Sequence, residues 1–248
     1  MKNDLGAIIL AAGKGSRMKA KKVNKVAMHL ANKPMILHTV ELLKSLNVNN
    51  IIVTVGFAKR SVMDLLDGEV IFADQKKRLG TAHAVSIALE KINKEVKDVI
   101  VLNGDDSAFY SKKIISDLIQ KHRNDKSKFT FLTIEKDNPF GLGRVVRDTK
   151  GEVTAVVEEK DATKAQRKIK EVNPGCYIFS VDFLKKYISK VEKSDITNEY
   201  YLTSLIGIGI KNQEKIETVR AGRLIWRGVN TKEELSEAEK LLLGLRKK

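Results

Sequence analysis

The residues most suited to chemistry come first in the chain. Leu10-Ala11-Ala12-Gly13-Lys14-Gly15-Ser16-Arg17-Met18 follows an apolar run and sets small residues beside two cations. Small residues let backbone N–H groups approach an anion closely, and Lys14 and Arg17 add positive charge. That combination suits a triphosphate cradle. Two common phosphate loops are excluded. A Walker A loop needs Ser or Thr directly after its lysine, where Gly15 stands. The dinucleotide fingerprint needs a third glycine, where Met18 stands. Lys25, in Val23-Asn24-Lys25-Val26, is a second cation close by. Joining two phosphates requires such charges: like charges 4 Å apart repel by about 4 kcal/mol at an effective dielectric of 20. Further on, Asn103-Gly104-Asp105-Asp106 closes another apolar run. A carboxylate there is placed either to hold Mg²⁺, which prefers oxygen ligands, or to cap a helix. Asp106 is the weaker ligand candidate. Asn230, in Gly228-Val229-Asn230, can offer a neutral oxygen to the same ion.

These groups need elements to position them. Leu5 to Ala12, Asn50 to Val55, Val70 to Ala73 and Val99 to Leu102 are short apolar runs that read as buried parallel strands. Between them lie helical patterns: Pro34 onward through Leu46, a segment ending near Leu66, and Thr81 to Ile92. A helix at Lys112 to Lys121 and a strand at Phe129 to Ile134 continue the alternation. Strand–helix alternation predicts an α/β, Rossmann-like, mostly parallel doubly wound sheet with helices on both faces. Ligands in such sheets bind outside the carboxyl ends of the strands.

The second half is less regular. Strands are expected at Arg144 to Arg147, Val153 to Val157, Cys176 to Ser180 and Ile216 to Val219. Helices are expected at Asp182 to Val191, Glu199 to Ile210 and Lys232 to Arg246. The last should bury Leu235, Ala238, Leu242 and Leu245 along one side.

Composition narrows the classes. The 248 residues carry a net charge of +15, with basic clusters at Lys19 to Lys25 and Arg246 to Lys248. Most of the lysines are spread as a solvated surface would spread them. No nucleic-acid-binding motif stands out, so no specific nucleic-acid partner is expected. A single cysteine, Cys176, excludes an internal disulfide, and His29, His38, His83 and His122 fit no metal-ligand spacing. Cys176 and Trp226 read as packing residues. No apolar run reaches the length of a membrane span, and a cytoplasmic location is expected.

Together the motifs resemble a family. The Leu10–Met18 loop is similar to the signature loop of nucleotidyltransferases that activate sugar phosphates. Gln75 with Leu79-Gly80-Thr81-Ala82-His83-Ala84 resembles the uracil-reading segment of the N-acetylglucosamine-1-phosphate uridylyltransferases. Asn138-Pro139-Phe140-Gly141-Leu142-Gly143-Arg144 and Val157-Glu158-Glu159-Lys160-Asp161-Ala162 resemble their sugar-pocket segments. Val172-Asn173-Pro174-Gly175, Asn198-Glu199-Tyr200-Tyr201-Leu202-Thr203 and Gly228-Val229-Asn230 follow in the same order. The resemblance implies transfer of a uridylyl group from UTP to N-acetylglucosamine-1-phosphate, with Mg²⁺ as cofactor and small molecules as partners. By it, Arg17 and Lys25 are catalytic. Leu10, Ala12, Gly13, Lys14, Gly15, Gln75, Gly80 and Thr81 hold the nucleotide. Gly143, Glu158 and Asn173 hold the sugar, and Asp105 and Asn230 hold the metal. A related enzyme for glucose-1-phosphate or another phosphorylated acceptor, and a non-catalytic nucleotide- or nucleic-acid-binding protein, are the alternatives.

The resemblance also implies a division of labour within residues 1–230. Residues to about 135 bind the nucleotide, and residues 136–230 form a small β-containing sugar-binding lobe. A C-terminal helix occupies 231–248. The family's bifunctional members continue into a β-helix acetyltransferase domain. This sequence stops at Lys248, so that activity and its trimer contact are expected to be absent, with a monomer compatible. Departures from the family pattern include Ser16, where threonine is usual, and three of the others flank the sugar or metal site. Asn24 replaces a proline, Leu142 a tyrosine and Pro174 a threonine, and Asn103-Gly104-Asp105-Asp106-Ser107 replaces a Gly-Asp-X-Pro-Leu pattern.

Overall fold

The strands and helices alternate through the first half of the chain. The structure is a computed structural model, and residues 4–18 and 22–246 are described. Lys19 to Lys21 of the first basic cluster and Lys247 and Lys248 of the second lie outside the described residues. The first half runs β1 (Leu5–Ala11), β2 (His29–Leu30), β3 (Lys33–Pro34), α1 (Met35–Ser45), β4 (Asn50–Val55) and α2 (Arg60–Met63). It continues through β5 (Ile71–Asp74), α3 (Thr81–Leu89), β6 (Asp98–Asn103), α4 (Lys112–Asn124) and β7 (Phe129–Glu135). The second half adds β8 (Gly143–Arg147), β9 (Val153–Val157), β10 (Glu171–Asn173), β11 (Cys176–Ser180) and α5 (Val181–Tyr187). It closes with α6 (Ser204–Lys211), β12 (Ile216–Arg220) and α7 (Lys232–Arg246).

One large sheet takes the order β5-β4-β1-β6-β11-β7-β10-β8-β9, with β12 on the free side of β7. β1 lies parallel to both β4 and β6, as the crossover helices require. β11 runs antiparallel between β6 and β7, and β10 antiparallel between β7 and β8. The main sheet is therefore mostly parallel, with β9, β10 and β11 running against the rest.

Continuous apolar runs form these strands because both sheet faces are covered. Ala7, Ile9 and Ala11 face one core, with Ile36, Val40 and Leu43 of α1 and Ile115 and Leu118 of α4. Ile8 faces the other, with Ala82, Val85 and Ala88 of α3, Phe183 of α5 and Leu205 of α6. Each such fully buried Val, Leu, Ile or Phe contributes about 1.5–3 kcal/mol. Serines start two of the helices: Ser111 Oγ accepts from Ile114 N–H at 3.2 Å and Ser180 Oγ from Phe183 N–H at 3.3 Å.

Several sequence expectations are corrected. Pro34 caps α1 in an extended conformation instead of entering its first turn. The segment before Leu66 holds only the single turn α2. The helix expected from Glu199 begins at Ser204 because backbone bonds hold Tyr200 outside any helix. Tyr200 N–H donates to Leu79 O at 2.8 Å, and Ala82 N–H to Tyr200 O at 2.9 Å. On α7, Ala238 and Leu242 are buried and Leu235 packs on the core, but Leu245 is exposed. The strand β10 was not expected. Pro174 and Gly175 break what would be one long strand into β10 and β11, which share β7 as a neighbour but pair on their other sides with β8 and β6. Among the described residues, no helix is long and apolar enough to cross a membrane.

Candidate active site

The carboxyl ends of β1 and β6 lie side by side, with Leu10 paired to Asn103. This puts the glycine-rich loop beside Asn103–Asp106. The loop is folded back on the sheet: Ala12 O accepts from Phe57 N–H at 3.1 Å, and Gly15 O from Met18 N–H at 2.9 Å. Gly15 has φ of 55°, and a Cβ there would lie 3.0 Å from Lys25 Cβ. Glycine thus lets the loop and Lys25 come together.

Asn24 holds this arrangement. Its buried amide donates to Ala11 O at 2.9 Å, Phe57 O at 2.7 Å and Gly13 O at 3.3 Å. Its Oδ1 accepts from Val26 N–H at 3.1 Å, and its own N–H donates to Ser61 Oγ at 2.9 Å. Lys25 is therefore presented by a residue bonded on both sides. Lys25 Nζ pairs with Asp105 Oδ2 and donates to Asn230 Oδ1 at 3.0 Å.

Two cavities meet here. One, of about 430 Å³, is walled by Leu10, Ala12, Gly13, Lys14, Gly15, Gln75, Gly80 and Thr81. The other, of about 570 Å³, is walled by Arg17, Gly143, Glu158, Asn173 and Asn230. Lys25, Thr81, Asn103, Asp105 and Glu199 border both. The residues expected to hold nucleotide thus gather in one chamber, and those expected to hold sugar in the next. Arg17 stands apart from its loop: it borders the second chamber and not the first.

In the first chamber, Gln75 is buried. Its amide nitrogen donates to Gly80 O at 3.0 Å and bonds His83 Nδ1 at 3.0 Å. Gly80 has φ of 108°, and a Cβ there would lie 2.4 Å from Tyr200 O. Thr81 Oγ1 accepts from Leu202 N–H at 2.9 Å. The segment from Glu199 to Thr203 is thereby stitched to the start of α3.

In the second chamber, burial pushes the Glu158 carboxyl above the usual carboxylate range, against the bond that Thr203 Oγ1 donates to it at 2.9 Å. A Cβ on Gly143 would lie 3.6 Å from both Glu158 oxygens. Asn173 is fixed by donating to Tyr177 OH at 2.6 Å and accepting from Gly175 N–H at 3.0 Å. Arg144 is buried, donates to Leu142 O and pairs with Glu159 at 2.6 Å, which holds the Asn138–Gly143 loop at the rim.

The donor chemistry fits a magnesium ion. Asp105 and Asn230 bring two hard oxygens to one point, the Lys25 ammonium. Among the described residues no three His, Cys, Asp or Glu side chains form a metal cluster. One carboxylate and one amide oxygen suit a cation that keeps water and takes substrate phosphates, not one that needs a closed cage. Asp106 is the poorer ligand. It is buried, burial and then Asp105 raise its carboxyl well above the usual range, and its Oδ2 accepts from Asn103 at 3.2 Å.

Sequence reasoning missed Asn24, Asn103, Glu199, Thr203, Tyr177 and the pair Lys136 and Arg227 as cavity residues. Trp226, expected to pack, is buried in the core and also forms part of the second chamber's wall.

Comparison with known proteins agrees with this architecture. The chain belongs to the nucleotidyl transferase family, whose model matches residues 6–243. It is 41% identical over 238 residues to the bifunctional protein GlmU of Caldicellulosiruptor saccharolyticus, covering 95% of this chain and 51% of that one. It is 35% identical to the bifunctional protein GlmU of Desulfotalea psychrophila, covering 97% and 71%. The chain spans about half the length of the Caldicellulosiruptor relative. In fold it is similar to a Bacillus anthracis protein assigned as a glucose-1-phosphate thymidylyltransferase, with a TM-score of 0.81, 21% identity and coverage of 96% and 95%.

Proposed function

We propose that the chain makes UDP-N-acetylglucosamine from UTP and N-acetylglucosamine-1-phosphate. One observation carries the reading: two chambers, one glycine-lined and one polar, meet at the Lys25–Asp105–Asn230 junction. A phosphate oxygen of the sugar attacks the α-phosphorus of UTP. The bond from that phosphorus to the bridging oxygen breaks, and pyrophosphate leaves with the electron pair. No covalent enzyme intermediate is needed.

The residues then have defined work. The Gly13–Gly15 backbone and Lys14 hold the triphosphate, and Gln75, Gly80 and Thr81 hold the nucleoside. Glu158, Asn173 and Gly143 orient the sugar. Lys25 and Arg17 neutralise charge that builds between the reacting phosphates. Mg²⁺, held by Asp105 and Asn230, would supply Lewis-acid neutralisation of phosphate oxygens. Positioning of two bound reactants supplies much of the remaining acceleration.

Pyrophosphate release with a matrix of nucleoside triphosphates and sugar-1-phosphates plus Mg²⁺ tests this. Turnover is expected with UTP and N-acetylglucosamine-1-phosphate. Turnover with glucose-1-phosphate and not the N-acetylamino sugar would replace the acceptor. Absence of turnover for every pair would sink the enzymatic reading.

A further inference from the structure

Lys136 follows β7 directly and borders the second chamber. Its backbone is pinned, with its N–H donating to Lys170 O at 3.0 Å. Its Nζ donates to Trp226 O at 2.9 Å, which places the ammonium against the segment carrying Arg227 and Asn230. Among the described residues it forms no ion pair. The adjacent Asp137 faces elsewhere, 3.3 Å from Lys170 Nζ and 3.8 Å from Arg223 Nη2. Two other cations of the same chamber are matched: Lys25 by Asp105, and Arg227 by Glu237 at 2.8 Å.

A half-buried ammonium without a counter-ion is costly in a folded protein. The cost shows in its titration: burial, then the Arg227 guanidinium, lower the Lys136 pKa below the usual lysine value. Arg227 is itself partly buried, and its Nε has no hydrogen-bond partner. An ammonium on a chamber wall with no ion pair of its own attracts an anion to that point.

We infer that Lys136, supported by Arg227, is an oxyanion subsite for the acceptor substrate in the second chamber. The oxyanion is either the acceptor's 1-phosphate or an acidic group carried on the sugar itself. Both would give Lys136 the counter-ion the protein does not supply. The inference rests on the proposed activity, since it assigns the second chamber to the acceptor.

Steady-state kinetics of Lys136→Met, Lys136→Arg and Arg227→Met test it, with N-acetylglucosamine-1-phosphate and glucuronic acid 1-phosphate as acceptors. Lys136→Met is expected to raise an acceptor KM about tenfold or more, the usual scale of a lost charge-assisted hydrogen bond. KM for UTP should stay within about twofold, and Lys136→Arg should restore most of the acceptor affinity. A rise for both acceptors identifies the 1-phosphate as the ligand. A rise confined to the glucuronic acid derivative identifies the sugar's carboxylate. An unchanged KM for both acceptors, or an equal rise for UTP without rescue by arginine, overturns the subsite. If Lys136→Met does not fold, Arg227→Met carries the same comparison. If the wild-type protein turns over no pair, the activity fails separately. Calorimetric titration of the acceptors into wild-type protein and Lys136→Arg and Lys136→Met then decides the subsite, with equal affinities overturning it.

Discussion

The chamber beside the glycine-rich loop is lined in part by small residues that open its wall to main-chain groups, and the second chamber by longer polar side chains. On the first side, Gly13, Gly15 and Gly80 bring main-chain groups to the cavity, and two buried polar side chains are tied down: Gln75 by Gly80 O and His83, and Asn24 by Ala11 O and Phe57 O. On the other side, Glu158, Asn173, Thr203, Lys136 and Arg227 project from different strands and loops. Backbone N–H groups recognise a phosphate whatever it is attached to. Side chains discriminate one sugar from another, because an unmatched buried polar group is penalised.

Four substitutions break or sharpen this contrast. Lys25 belongs to both chambers, so Lys25→Met should reduce turnover by about 10³-fold whichever substrate is limiting. A loss under tenfold in pyrophosphate release would mean that the junction is not where charge develops. Gly80→Ala should have the next largest effect. Its Cβ would overlap Tyr200 O and N in a conformation that L-residues avoid, which should destabilise the fold by about 3 kcal/mol or more. A melting temperature within a degree of wild type would show that the Tyr200 segment moves away freely.

Asn24→Ala tests the backbone wall alone. It leaves the carbonyls of Ala11 and Phe57 without their donor and should cost about 2–3 kcal/mol, lowering Tm by roughly 5–10 °C. KM for UTP should rise and that for the acceptor should not; the reverse pattern would dissolve the division between chambers. Glu158→Gln tests the side-chain wall and should raise the acceptor KM about tenfold, with UTP affinity preserved. It also carries a pH signature. The folded Glu158 pKa is raised above its unfolded value by burial, so the folded state binds the extra proton. Wild-type stability therefore falls as pH rises from the ordinary carboxylate range through the raised pKa. The Tm of Glu158→Gln relative to wild type should climb over that interval. A pH-independent difference would show that Glu158 is solvated in the free protein.

The contrast also explains what was legible in the sequence. Buried parallel strands such as β1, β4 and β6 are unbroken apolar runs, and the glycines that follow them mark the backbone wall. The acceptor side is assembled from distant pieces with no local signature. Lys136 looks like any surface lysine until Trp226 O and Arg227 are seen beside it. Three residues are too few for a periodic pattern, so β10 could not be read. Glu199 to Thr203 had helical spacing, but bonds to Leu79, Thr81 and Ala82 from far along the chain keep it out of the helix. Asn24 stood out only as a departure; its five hydrogen bonds depend on carbonyls that the fold brings to it.

The seam between the Gly80 turn and Tyr200 is closed by main-chain atoms, Tyr200 N–H to Leu79 O and Ala82 N–H to Tyr200 O, with no space left for a Cβ at position 80. Its demands on heredity are therefore lopsided. Position 80 has room for hydrogen alone, while position 200 meets the seam through its peptide group and packs its side chain against the core, with the ring 5.5 Å from Lys193 Nζ. Descendants of this chain can exchange residue 200 for another apolar or aromatic side chain and keep the seam closed, whereas position 80 has almost no neighbouring sequence to drift into.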